Sequence, residues 1–121
     1  MSFKIFKLNN IMSKLNKIFI TGGAGYVGSR LVPFFLEKNY KVCVYDTMYF
    51  GSEHLKNHAN LTLIKGDIRD TKKIEISCKG YDIFLHLACI SNDSSFELNE
   101  ELSKTINYDC FEPMVSSAKN V

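Results

Sequence analysis

The sequence has no excess of one charge, no long apolar run and no paired-cysteine motif, and each absence narrows the reading. With 15 Lys and Arg against 13 Asp and Glu, the formal charge is +2. That leaves no electrostatic footprint for nucleic acid or for an anionic membrane as a partner. No apolar stretch approaches the ~20 residues that a membrane-spanning helix needs. The four cysteines, Cys43, Cys78, Cys89 and Cys110, include no C-x-x-C pair, and with His54, His58 and His86 they make no zinc-ligand spacing. Their neighbours are apolar or ordinary helical residues, so they read as buried or half-buried free thiols in a reducing cytoplasm. Internal repeats and low-complexity tracts are missing too. What remains is 121 residues, 45% apolar and 23% charged, the make-up of one small globular domain.

Met1 to Asn16 carries Lys4, Lys7 and Lys14 among Phe and Ile. A secretory signal would need a longer apolar core and a small-residue cleavage site, and a mitochondrial presequence would be richer in Arg and Ser. Met12 stands just ahead of a polar lead-in, Ser13 to Lys17. Residues 1–15 are therefore read as an extension or lead-in, and 16–121 as the folded domain.

From Lys17 the pattern alternates between strand and helix. Ile18-Phe19-Ile20 is a continuous apolar run ending in Thr-Gly-Gly, which predicts a strand buried on both faces. Val27, Leu31, Phe34, Phe35 and Leu36 predict an amphipathic helix over 26–39, with Pro33 bending it. A second strand is expected over 41–45 and a polar loop, with at most one helical turn, over 46–60. A third strand follows over 61–65. Asp70 is placed to cap a short helix running to about Cys78. A fourth strand over 82–87 leads to a helix over 99–119, with Leu102, Ile106, Cys110, Met114 and Val115 on one face and an interruption at Pro113. Strands alternating with helices imply a parallel sheet with right-handed crossovers. The fold expected is α/β, the amino-terminal part of a doubly wound sheet with strand order 3-2-1-4.

The most informative feature is Thr21-Gly22-Gly23-Ala24-Gly25-Tyr26-Val27-Gly28. A lone G-x-G-x-x-G means little. Here it follows an apolar strand and opens a helix inside a βαβ unit, the context that gives it weight. Early glycines allow a tight turn and bring backbone N–H groups against a pyrophosphate, and the helix start adds unpaired donors and a positive dipole end. Gly28 lets the helix pack close to the strand. Asp46 stands 18 residues beyond Gly28, where a carboxylate binds the ribose hydroxyls. It would repel a 2′-phosphate, and no arginine follows in 47–53 to hold one, so NAD is favoured over NADP.

These residues resemble the extended short-chain dehydrogenase/reductases, the NAD-dependent epimerase/dehydratase group that acts largely on nucleotide sugars. The glycine turn looks like that family's cofactor turn, and Asp46 sits where its ribose-binding acid lies. Gly66-Asp67-Ile68-Arg69-Asp70 is similar to its third-strand motif, in which Asp67 and Ile68 would border the adenine. His86-Leu87-Ala88-Cys89 resembles its fourth-strand end, which places Leu87 and Ala88 along the nicotinamide side. Asn107 falls where the family has a structural Asn, and Ser91, Asn92 and Asp93 lie in the loop after the fourth strand, where they read as loop caps in preference to substrate contacts. The resemblance implies Gly22, Gly23, Gly25, Tyr26, Val27 and Gly28 as the remaining cofactor residues. It also implies a nucleotide-sugar or related small molecule as substrate, and allows a homodimer of the intact parent.

The family's chemistry depends on a Tyr-x-x-x-Lys pair. Position +4 from Tyr26, Tyr40, Tyr45, Tyr49, Tyr81 and Tyr108 is Arg30, Val44, Tyr49, Glu53, Leu85 and Glu112. None is lysine. The expectation is therefore the NAD-binding front portion of an enzyme, without its catalytic strand and inactive alone. A stand-alone non-catalytic dinucleotide-binding module, or an inactive truncated product, is the alternative.

Overall fold

A computed structural model describes residues 14–89, 99–119 and 121. Four strands, β1 (Lys17–Thr21), β2 (Lys41–Asp46), β3 (Leu61–Lys65) and β4 (Ile83–His86), form one sheet in the order β3-β2-β1-β4. All three pairings are parallel. The helices are α1 (Tyr26–Glu37), α2 (Thr71–Ser77), α3 (Glu100–Lys104) and α4 (Phe111–Ala118). This is the α/β architecture and the strand order expected from the sequence.

Strand side chains alternate between two faces, and burial of both faces explains why the interiors of β1 and β2, Ile18–Ile20 and Val42–Val44, are apolar. Ile18, Ile20, Val42 and Val44 point to one face, where they meet Val32 and Leu36 of α1 and Leu55 of the 46–60 loop. Phe19, Cys43 and Tyr45 point to the other, against Ile74 of α2, Cys78 just after it, Cys110, and Met114 of α4. Phe19 is the aromatic centre of that second layer, with the rings of Tyr45, Tyr81 and Phe84 at 5.9, 5.7 and 5.2 Å. The start of β1 is fixed by Asp82, whose Oδ2 accepts the N–H groups of Asn16 and Lys17, each at 3.0 Å.

Several local expectations change. Helix α1 stops at Glu37, and Asn39 takes the left-handed conformation at φ 65°, a common C-terminal arrangement. Its buried face is Gly28, Val32 and Leu36, whereas Val27 and Phe34 are each 51% exposed. The phase is set by Gly28, the position that must approach the turn before it; Val32 and Leu36 follow at four-residue steps. Helix α1 runs unbroken through Pro33, which lies on the exposed face, where water can satisfy the carbonyl it leaves unpaired. No helix forms between β2 and β3. Tight turns fill that stretch, with Gly51 N–H on the Met48 carbonyl and Leu55 N–H on that of Ser52.

In the last helical stretch the break falls at a π-helical turn, Thr105–Asp109, and not at Pro113. Pro113 sits in the first turn of α4, where its missing N–H costs no helical bond. Val115 is 40% exposed, and Ser103 and Ser117 are buried in its stead. Asp70 caps α2 as the sequence suggests, accepting from Lys73 N–H, and Asn99, expected as the first helical residue, instead caps α3 by accepting from Leu102 N–H. Cys43, Cys78 and Cys110 are buried free thiols, but Cys89 is exposed, because it lies beyond the end of β4 where neither helical layer covers it. Among the described residues no helix is long and apolar enough to cross a membrane.

Candidate functional site

The carboxyl ends of β1, β2 and β3 converge on the glycine turn. Strands β2 and β3 lie on one side of β1 and β4 on the other, so the chain reverses direction across the sheet at the β1–β4 boundary. Ligands of open α/β sheets bind in the crevice at such a point.

Thr21, fully buried, ends β1, and Gly22 turns the chain with φ +73°, which disfavours any side chain. Gly22 N–H donates to the Tyr45 carbonyl at 2.8 Å, so the turn is tied to β2. A Cβ on Gly22 would lie 2.5 Å from the backbone nitrogen of Ala88, and one on Gly23 would lie 2.8 Å from Val44 Cγ2. On Gly28 it would lie 2.1 Å from the Gly23 carbonyl oxygen, so the first turn of α1 rests on the loop backbone itself. Gly28 does allow a close approach, but the surface approached is the loop backbone at Gly23 and not the strand expected from the sequence. No side chain caps α1 and no acidic residue occupies its first turn. Its positive end is therefore left for an anion. Tyr26 and Val27 are exposed there.

Asp46, half-buried at the end of β2, is held by two backbone donors. Ala24 N–H reaches Oδ2 at 3.0 Å, and Met48 N–H reaches Oδ1 at 2.9 Å. One donor per oxygen leaves lone pairs on both for a diol. The Asp46 carbonyl accepts from Gly66 N–H at 2.9 Å, which brings the end of β3 alongside. There the Asp67 carbonyl accepts from the Tyr45 hydroxyl at 2.9 Å. The Asp67 carboxylate is bound by Arg69 through its main-chain N–H and its guanidinium, which holds Asp67 below the usual carboxylate range. The Ile68 side chain packs into the core beneath α2 and α4.

On the far side Leu87 N–H donates to the Thr21 carbonyl at 2.8 Å, and Leu87 and Ala88 are half-buried. His86 Nδ1 meets the Thr21 hydroxyl at 2.6 Å, a link the sequence reading missed. Desolvation at the strand end lowers the His86 pKa. A histidine depressed in the folded state contributes stability above its unfolded pKa that is lost as pH falls through that value. The melting temperature should therefore drop on going from about pH 7.5 to about pH 5.5. His86→Gln should flatten that part of a thermal-shift profile; an unchanged slope would assign it to other groups.

Asn107 lies in the π-helical turn, away from the strand ends in sequence, and Ser91, Asn92 and Asp93 lie outside the described residues. Two surface cavities of about 390 and 330 Å³ lie at the outer edge of β3 and beneath the strand starts. Neither contains a residue of the glycine turn, Asp46 or Asp67. The case for the site rests on the backbone cradle and the fixed carboxylates.

Comparison with known proteins agrees with that geometry. Residues 18–119 match the NAD dependent epimerase/dehydratase family. A 3-beta-hydroxysteroid dehydrogenase of Mycolicibacterium neoaurum is 31% identical over 80 residues, covering 66% of this chain and 21% of its own length. A UDP-glucose 4-epimerase of Halalkalibacterium halodurans is 37% identical over 76 residues, covering 61% of this chain and 22% of its own. Among solved structures, Bordetella bronchiseptica WbmH in complex with NAD+ superposes with a TM-score of 0.73 at 32% identity, over 87% of this chain and 36% of that one. The chain thus spans about a fifth of the length of these curated relatives.

Proposed function

The chain belongs to the NAD dependent epimerase/dehydratase family, and from that premise we propose that residues 16–121 are the NAD-binding part of an enzyme acting on nucleotide sugars. Residues 1–15 are an extension ahead of that domain. The observation that carries the reading is the pairing of the glycine cradle with Asp46. A Cβ at Gly22, Gly23 or Gly28 would fill the space, and Asp46 is fixed beside it by the N–H groups of Ala24 and Met48.

NAD, when bound, supplies the hydride acceptor for oxidation of a sugar carbon. This chain's residues do the holding. The uncapped start of α1 faces the pyrophosphate, and the glycine turn lets it come within hydrogen-bond reach of the backbone. Asp46 accepts from the ribose hydroxyls and repels a 2′-phosphate. Leu87 and Ala88 border the nicotinamide half, along the crevice between β1 and β4. No tyrosine of the sequence has a lysine four positions on, so the acid/base pair of this proposal belongs to a longer protein. The substrate class is the finer part of the reading and is favoured by the 37% identity to the UDP-glucose 4-epimerase. The free thiols fit a reducing cytoplasm as its compartment.

Calorimetric titration of the chain with NAD and with NADP tests the cofactor assignment. Weak, saturable heat with NAD and much less with NADP is expected. No heat with either would sink the assignment for these residues. A panel of nucleotide sugars and hydroxysteroids, assayed on the longer protein for NAD reduction, tests the substrate class, and turnover of steroids alone would reverse it.

A further inference from the structure

We propose that the cavity beneath the strand starts is a second anion site, which takes the phosphate groups of a short polyphosphate and is independent of the cofactor reading. The cavity, about 330 Å³, is lined by Lys17, Lys41, Thr62, Lys79, Gly80 and Tyr81, among others. Its three lysines come from three places in the fold: the first residue of β1, the first residue of β2, and the turn between α2 and β4. Lys17 and Lys41 are register partners, and strand alternation puts both on the face of Phe19 and Cys43. Thr62 joins them there as the partner of Cys43. Tyr81 makes the inner wall, its ring 5.7 Å from that of Phe19. The rim is open at Gly80, where an added Cβ would meet no atom within 4 Å.

Like charges directly opposite on neighbouring strands repel, and no carboxylate relieves them here. The described residues form two ion pairs, Arg69–Asp67 and Lys104–Asp109, so none of the three ammonium groups is paired. No acidic residue lines the cavity. Asp82, the acidic residue next to Tyr81, is turned to the main chain, where its Oδ2 accepts the N–H groups of Asn16 and Lys17. Three ammonium groups, each a point charge with donors and no acceptor, suit an ion that carries several charges on outward oxygens. A planar carboxylate would engage fewer of them. The volume lies at the small end of ligand cavities, ~300–1,000 Å³, which fits a compact ion. The strand starts also meet at this point: Lys41 N–H donates to the Asn16 carbonyl and Val42 N–H to that of Asn60, both at 2.8 Å. An ion bridging the lysines therefore ties β1, β2 and the α2–β4 turn together.

Backbone-amide NMR of the full chain, titrated with inorganic triphosphate at fixed ionic strength, reads this site separately from the glycine turn. The amides of Lys17, Lys41, Thr62 and 79–81 should move as a group, with a Kd on the order of 1 mM for a few mostly exposed charge contacts. The double variant Lys41→Gln, Lys79→Gln should weaken that response about tenfold or more and leave any response of 22–28 as it was. Lys17→Gln supplies the same test from β1 should the double variant not fold. Adenosine triphosphate should bind no tighter than triphosphate, and movement of these amides by the nucleotide alone would overturn recognition through phosphate. A response confined to 22–28, or one at the strand starts that survives the lysine substitutions, overturns the site. So does an equal response to sulfate at the same ionic strength, which would be screening of exposed charges and no more.

Discussion

Gly28→Ala should lower the melting temperature of the chain by about 10 °C or more and abolish dinucleotide binding. Helix propensity alone argues the other way, since alanine is better than glycine by about 1 kcal/mol in a helix interior. Geometry decides against it. The added methyl would sit 2.1 Å from the Gly23 carbonyl oxygen and 2.4 Å from its carbon, both backbone atoms that cannot swing aside. Helix α1 would have to lift off the loop by roughly an ångström, at an overpacking cost of about 1–3 kcal/mol or more. Val32 and Leu36, buried on the same face, would lift with it. That is a large share of the roughly 5–15 kcal/mol that stabilises a domain. Gly25→Ala is the internal comparison: its methyl would approach only the Gly22 carbonyl, at 3.2 Å, and should be far milder. Thermal melts of the two variants check the contrast, and equal losses would show that the close approach at Gly28 is not what matters.

Asp46→Asn is the second large expected effect, read as the ratio of NAD to NADP affinity. The wild-type carboxylate binds a diol and repels a phosphate at the same spot, so removing its charge weakens one ligand and relieves the other. A fall in the ratio of tenfold or more is expected, since a hydrogen bond to a charged group contributes about 1.5–3 kcal/mol. The substitution has a second consequence. Asp46 accepts from both Ala24 and Met48, and an asparagine has one oxygen for two backbone donors. One N–H would face an amide NH2, at a cost of about 1–3 kcal/mol in stability. Affinity for both dinucleotides should therefore decline somewhat, whereas their ratio reports the charge alone. An unchanged ratio would remove Asp46 from cofactor selection.

What could be read in advance, and what could not, follows the range of the interactions involved. Strands β1 and β2 were legible because burial on both faces leaves only apolar residues in their interiors, Ile18–Ile20 and Val42–Val44. Asp70 was legible as a cap because a cap is written within three residues. The phase of α1 was not legible from its apolar residues, because a glycine with no side chain to count sets which face turns inward. The π-helical turn at Thr105–Asp109 was equally hidden, while Pro113, the visible breaker, proved harmless in a first turn. At the site the glycines and Asp46 came from their spacing, and Asp67 from the resemblance of its motif. The partners that orient them did not: Ala24 lies 22 residues from Asp46, and Thr21 lies 65 from His86. Such pairings exist only once the sheet has formed. The holds of Arg69 on Asp67 and of Met48 on Asp46 are local, each two residues apart, and were within reach of sequence reasoning.

The long reach between Thr21 and the end of β4 also bears on timing. The turn bonds to β2 through Gly22 and to β4 through Leu87 and the His86 ring, and Ala88 closes over Gly22. Contacts of such sequence separation form late, because the chain must first surrender the entropy of closing the loop between them. As the polypeptide leaves the ribosome, the glycines emerge some 65 residues before the segment that completes their shape. The cradle is therefore among the first parts to be synthesised and among the last to be finished.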